Sequence, residues 1–163
     1  MKLAIMQPYF FPYIGYFQLM NTVDEWVIFD NIQYIRHGWV NRNRILSSNL
    51  EKEWQYISVP LDKHSKEDLI NGIKIINTNS WKDNIIGKLS YYKRIRAPYY
   101  HQIMALLDKC FDNKINSLVE INTLTLKYIA DYLGIKFNYT ISSKNGFDFS
   151  NVIRPDDWAL EIS

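Results

Sequence analysis

The chain opens with an apolar run, Leu3–Met6, of the length and continuity of a buried parallel strand. Gln7-Pro8 ends it, because proline lacks the N–H that a central ladder needs. Pro12 suits the first turn of a helix, where a fixed φ and a missing donor cost nothing, and the spacing carries that helix to about Asn21. Residues 26–29 form a second apolar run, which stops at Asp30. Strand, helix, strand in this order predicts a parallel crossover. It sets Gln7 and Asp30 at neighbouring strand ends, where open α/β sheets hold their ligands.

Beyond Asp30 the pattern changes twice. Residues 42–46 and 53–60 alternate loosely at period two around a turn-like 47–52, which predicts a β-hairpin. Residues 62–68 read as a charged loop and 72–77 as another strand. From Ser80 the spacing is helical. Ser80-Trp-Lys-Asp83 has the capping-box pattern, and Trp81, Ile85, Leu89 and Tyr92 follow on one face until Ala97-Pro98 breaks the helix. A second helix carries the stripe Ile103, Leu106, Leu107, Cys110. A third aligns Leu118, Ile121, Thr125, Tyr128 and Tyr132 and ends at Gly134, a good C-cap residue. Residues 136–141 return as a strand, 142–146 as a loop, and 157–162 as the start of a helix. The expected fold is α/β: an open, mostly parallel sheet starting strand-helix-strand, with an inserted β-hairpin and a helical second half, in a single domain over 1–163.

Composition excludes more than it selects. The chain has 163 residues, enough to bury a sizeable core. With 19 basic and 17 acidic residues, the net charge of +2 is too balanced for a nucleic-acid footprint, so no nucleic-acid partner is expected. The single cysteine excludes an intrachain disulfide framework and a Cys-based zinc cluster, and its place on a helical stripe makes Cys110 a core thiol. Residues 3–23 carry no charge, but two prolines, a glycine and two glutamines interrupt them. Only Lys2 precedes that run and no small-residue cleavage site follows, so a cytoplasmic protein without a membrane span is expected. There is no Gly-rich phosphate loop, Gly-x-Ser-x-Gly elbow or His-Glu-x-x-His, and no metal-ligand set is assigned.

The candidate chemistry gathers in the first 44 residues. Gln7, beside Pro8, offers an amide that fixes a carbonyl or hydroxyl, or one that caps loop backbone. Asp30, with Asn31 and Gln33, suits a general base, a metal ligand or a ribose clamp, and equally an Asx turn. Arg36, His37, Arg42 and Arg44 bring three guanidiniums within nine residues. Arginine forks recognise phosphate or carboxylate bidentately, and Asn41 and Asn43 add neutral donors. On an extended strand Arg42 and Arg44 face one way while Asn41, Asn43 and Ile45 face the other. An imidazole at position 37 suits acid–base work or a surface position alike. Tyr9, Tyr13, Tyr34 and Trp39 would form an aromatic wall for a sugar or base. Lys93, Arg94 and Arg96 complement a helix C-terminus.

Met6-Gln-Pro-Tyr-Phe-Phe-Pro-Tyr-Ile-Gly-Tyr-Phe-Gln-Leu, Phe29-Asp-Asn-Ile-Gln-Tyr and Gly38-Trp-Val-Asn-Arg-Asn-Arg-Ile closely resemble the WbqC-like family. Val59-Pro60, the Trp81 helix, the stretch from Tyr92 to Tyr99, Leu133-Gly134 and Ser142-Ser143 extend the resemblance over nearly the whole chain. Members of that family tend to occur among bacterial genes for surface polysaccharides, especially those that make or decorate amino sugars. The resemblance implies a transferase or ligase modifying an amino sugar, with a nucleotide sugar or similar anionic small molecule as substrate. A non-catalytic binding or scaffold protein of the same pathway is the alternative. In the enzymatic reading Arg42 and Arg44 hold phosphate with Arg36 assisting. Gln7, Asp30 and Gln33 position the acceptor, and Asp30 or His37 takes its proton. ATP and Mg²⁺ are the expected cofactors if the donor needs activation. The order of the opening elements is also similar to HIGH-type nucleotidyltransferases, with Tyr13 and Tyr16 where those enzymes carry histidines. Family members usually continue into a segment rich in glycine and tyrosine, so the resemblance implies that a chain ending at Ser163 is short at its C-terminus.

Overall fold

The computed structural model describes residues 1–49, 51–111, 115–154 and 157–162. Leu50 in the expected turn and the terminal Ser163 lie outside the described residues. The opening crossover forms, with Pro12 just ahead of the helix cap Tyr13 instead of in the first turn: β1 (Leu3–Met6), α1 (Ile14–Met20) and β2 (Glu25–Ile28). β1 and β2 are parallel, with Ala4 opposite Trp26 and Met6 opposite Ile28. After β3 (Arg42–Leu46), β4 (Trp54–Ser58), α2 (Asn79–Arg94), α3 (Tyr100–Cys110) and α4 (Leu118–Leu133), the strand β5 (Tyr139–Ile141) joins the other side of β2. The sheet order is β1-β2-β5, all parallel, and α5 (Asp157–Ile162) ends the described chain.

The pleat of the sheet divides the interior in two. Ala4, Met6, Trp26 and Ile28 face the main core with Tyr16, Phe17 and Met20 of α1 and Leu118, Ile121 and Leu126 of α4. Leu3, Ile5, Val27 and Phe29 face the opposite way, where Phe147, Phe149, Trp158 and Ile162 cover them. A parallel sheet needs both faces covered, and α5 serves the second with rings, Trp158 lying 4.8 Å from Phe29. Cys110 is buried, and desolvation pushes its thiol up to about 12. Among the described residues no helix is long and apolar enough to cross a membrane.

β3 and β4 form the expected antiparallel hairpin, with Arg44 opposite Tyr56 and Leu46 opposite Trp54. Ile45 and Ile57 turn inward, so the arginines turn outward, as the alternation requires. The helix of 118–133 ends at Gly134 in the left-handed region (φ 69°), where a residue without Cβ is unstrained.

Two local expectations fail. Residues 72–77 make isolated bridges, Leu61 with Ile75 and Lys74 with Ser117, instead of a strand. Their backbone is shared between two neighbours: Ile75 N donates to Asn116 O and Ile76 N to Pro60 O, so neither side builds a ladder. The helix expected from Ser80 is capped by Thr78, without a side-chain cap bond. Ser80 lies in its first turn, its hydroxyl 2.9 Å from that of Thr78.

Candidate functional site

β2 and β5 run parallel with Ile28 opposite Ile141, so the residues just past their carboxyl ends meet. Asp30 is 1% exposed there. One carboxylate oxygen accepts from Ser143 N at 2.9 Å and lies 2.8 Å from Ser142 Oγ; the other accepts from Ser143 Oγ at 2.6 Å. Ser142 Oγ in turn accepts from Asp30 N at 3.1 Å. Its single proton is shared between Asp30 Oδ1 and Asn31 Oδ1, the latter at 2.7 Å. These charge-assisted bonds offset the cost of burying the carboxylate. The knot holds exposed Ser143 with its hydroxyl proton on Asp30.

Asp30 and Ser143 form one end of a cleft of about 560 Å³. Glu120, Thr123, Lys127 and Tyr128 line it along one face of α4, at the three- and four-residue spacing that stacks side chains on a helix. Lys109 enters from α3 and Lys144 from the 3-10 turn after β5. Lys127 pairs with Asp131 at 3.2 Å. Thr123 is 6% exposed, and its hydroxyl has no hydrogen-bond partner among the described residues.

The hairpin carries a different arrangement. The Arg44 guanidinium lies 4.0 Å from the Trp54 ring, 5.2 Å from Trp39 and 5.6 Å from Tyr56. Arg42 sits 4.3 Å over Tyr56 and donates to the carbonyls of Gly38 and His37. Arg42 therefore ties down its own loop. Arg44 makes one long bond, 3.5 Å to Tyr56 Oη, and keeps donors free among the described residues. Arg36 and His37 are exposed beside this platform, His37 at a positive φ of 65°.

The sequence-derived candidates are thus divided among three places. Gln7 and Asp30 do end neighbouring strands, but they face different cavities. Gln7 lines one of about 630 Å³ with Tyr9, Tyr16, Arg154 and Trp158. Tyr16 is buried, donates to Gln7 O at 2.8 Å, and has its hydroxyl pKa raised by that burial. Tyr13 is 70% exposed. Several candidates hold the fold together: Gln33 Nε2 donates to Lys66 O at 2.6 Å, and buried Tyr34 donates to Asn41 Oδ1 at 2.8 Å. Asn41 Nδ2 donates to Val59 O, Asn43 Nδ2 to Phe10 O and Phe11 O, and the carbonyl of buried Pro8 accepts from Asn122 Nδ2. Among the described residues no three His, Cys, Asp or Glu side chains gather as metal ligands would.

Sequence reasoning missed Ser142, Ser143, Thr123 and the three cleft lysines as site residues. The serines had a signal: like Asp30, they directly follow an apolar strand. The lysines had none, because they come from three elements and acquire a common spacing only in the fold.

The chain belongs to the WbqC-like protein family, which it matches over residues 7–163. It is also similar to the uncharacterized protein Rv1507c of Mycobacterium tuberculosis, at 30% identity over 134 residues. That alignment takes in 82% of this chain and 57% of the relative, so the chain spans little more than half the relative's length. No solved structure matches the chain.

Proposed function

We propose that this WbqC-like protein is a cytoplasmic transferase or ligase that modifies an amino sugar, carried as a nucleoside diphosphate sugar, during assembly of a bacterial surface polysaccharide. One observation carries the reading: the Asp30–Ser142–Ser143 knot opens into a cleft at the carboxyl ends of parallel strands, and such ends are where α/β sheets bind ligands. An acceptor amine held against Ser143 Oγ would attack the donor's electrophilic centre as the donor's leaving group departs. In that step the amine nitrogen would pass a proton to Ser143 Oγ while the serine proton moves to Asp30. Asp30 is then the base, acting through Ser143. His37 is not among the residues lining this cleft, and it stands as the acid–base candidate of the hairpin side. A ligase reaction would draw on ATP–Mg²⁺ to activate its donor.

The reading is tested by turnover of UDP- and dTDP-amino sugars, with and without ATP–Mg²⁺, followed by mass spectrometry. Ser143→Ala should lower kcat by about 10²-fold in a variant that still melts cooperatively, at a somewhat lower Tm because Asp30 Oδ2 loses its donor. Product formed at the parental rate by that variant would defeat the relay. No product from any amino sugar would favour the scaffold alternative, for which the exposed Trp39, Arg44 and Trp54 offer a partner surface.

A further inference from the structure

We infer that the strand-end cleft binds a diphosphate, with Lys109, Lys127 and Lys144 as its cationic wall and the Thr123 hydroxyl as its neutral donor. This rests on reading the cleft as the functional site, and it moves the anion seat from the hairpin arginines to side chains outside the opening motifs.

Three features of the cleft support it. Its lysines come from three elements, α3, α4 and the turn after β5, and line one cavity of about 560 Å³, within the range that holds nucleotide-sized ligands. Among the described residues Lys109 and Lys144 have no ion-pair partner, so their charges are available, while Lys127 is shared with Asp131. The acidic groups facing them are Glu120 and Asp30, and Asp30 is already enclosed by Ser142 and Ser143. The lining carries three lysines against two carboxylates, and the two ammoniums unpaired among the described residues, Lys109 and Lys144, are the ones left for an anion.

The second observation is the Thr123 hydroxyl. A buried hydroxyl without a partner costs free energy that folding has not recovered. This one belongs to a residue lining the cleft and has no partner among the described residues, so a rotation of the side chain toward an acceptor oxygen in the cleft would satisfy it. Separated ammoniums suit an anion whose charge is spread over two phosphorus centres, whereas a single carboxylate is better matched by one arginine fork. Tyr128 and Tyr139 also line the cleft and give a sugar or base attached to the diphosphate an apolar face.

The test is isothermal titration calorimetry of the full chain with inorganic pyrophosphate and with UDP. Both should bind, with affinity falling as salt rises. Lys109→Ala and Lys144→Ala should each weaken binding by about tenfold or more, and Thr123→Val by several-fold, with thermal melts unchanged and Arg44→Ala binding as the parent does. UDP binding tenfold tighter than pyrophosphate would support a nucleoside diphosphate as the ligand; equal affinities would support recognition of the diphosphate alone. Binding that survives both lysine substitutions, that is lost instead in Arg44→Ala, or that is absent from the parent would overturn the assignment. Lysine-dependent binding without turnover of any amino sugar would uphold this site and defeat the enzymatic reading. Turnover that persists in both lysine variants would do the reverse.

Discussion

The strand-end cleft and the hairpin platform both set cations beside aromatic rings, but they are built in opposite ways. On the platform Arg42 and Arg44 lie two residues apart on one strand and stack on rings of the same hairpin and its approach. In the cleft the lysines come from three elements and share one lining with a carboxylate that strand pairing has buried. The platform is visible in a short sequence window, and much of its charge is used locally, Arg42 on its own loop carbonyls. The cleft exists only once β2, β5, α3 and α4 are in place. Local clustering of charge therefore marked the region whose cations are held by neighbours in sequence, while the groups that share the cleft were dispersed along the chain.

Removing the centre of each region should separate them most widely. Asp30→Ala would strand the Ser143 N–H and two serine hydroxyls in or near the interior. Losing a buried acceptor of this kind should cost about 2–3 kcal/mol, which for a chain this size lowers Tm by roughly 4–12 °C. Arg42→Ala and Arg44→Ala should each stay within about 1 kcal/mol, as exposed cation–π pairs do. Thermal melts followed by circular dichroism check this. Equal losses at Asp30 and Arg44 would break the contrast.

Asn122 links the two regions. It lies on α4, and its Nδ2 donates at 2.7 Å to both Pro8 O and Val40 O, which belong to the segments leading out of β1 and into the hairpin. Asn122→Ala leaves two buried carbonyls without that donor, and a loss of about 2 kcal/mol is expected. Because α2 also holds the hairpin, with Lys88 Nζ donating to Tyr56 O at 2.7 Å and Tyr92 Oη accepting from Leu46 N at 3.0 Å, the variant should still show the near-ultraviolet circular dichroism of stacked Trp54 and Tyr56. Loss of that signal below the melt would show that the hairpin depends on α4.

The alkaline limb tests the α3 wall of the cleft, where Lys109 precedes Cys110. Burial pushes the Cys110 thiol from its ordinary 9.0 up to about 12. Between those values the unfolded chain has released this proton and the folded chain still holds it. The stability present below pH 9 should therefore fall as pH rises, with a slope approaching 1.4 kcal/mol per pH unit, roughly the limit for one proton. The raised Tyr16 hydroxyl adds in the same direction above its ordinary 10.0. Denaturant titrations at pH 8.5 and 10 should show the decline, and Cys110→Ala should flatten it. An equally steep decline in that variant would assign the effect elsewhere.

Much of the scaffold was legible because its cues are local. Leu3–Met6 and the closing helix Asp157–Ile162 fall where the apolar spacing put them, and the hairpin follows from alternation alone. Residues 72–77 misled because Ile73, Ile75 and Ile76 have the composition of a strand, while their hydrogen bonds go to two different neighbours. At the site Asp30 was legible from the end of an apolar run. Its partners Ser142 and Ser143 lie 112 and 113 residues away, and only strand order brings them to it. Asn41 and Asn43 looked like ligand donors because sequence gives an amide's chemistry without its partner; in the fold those amides secure Val59, Phe10 and Phe11.

The smallest expected effect is also the most specific to the platform. Arg44→Lys keeps the charge but replaces a planar guanidinium, 4.0 Å from Trp54, with a compact ammonium that cannot lie flat on an indole. The stacking lost at an exposed site is about 0.5–1 kcal/mol, or roughly 1–4 °C in Tm. Because the charge is retained, any long-range electrostatic contribution of residue 44 to anion binding should survive, and pyrophosphate affinity should match the parent. Tryptophan fluorescence should change, since Trp39 and Trp54 both contact this side chain. A fluorescence change with unaltered pyrophosphate binding keeps the two regions distinct. A matching fall in pyrophosphate affinity would mean that guanidinium geometry governs the anion seat, and the hairpin would replace the cleft as its location.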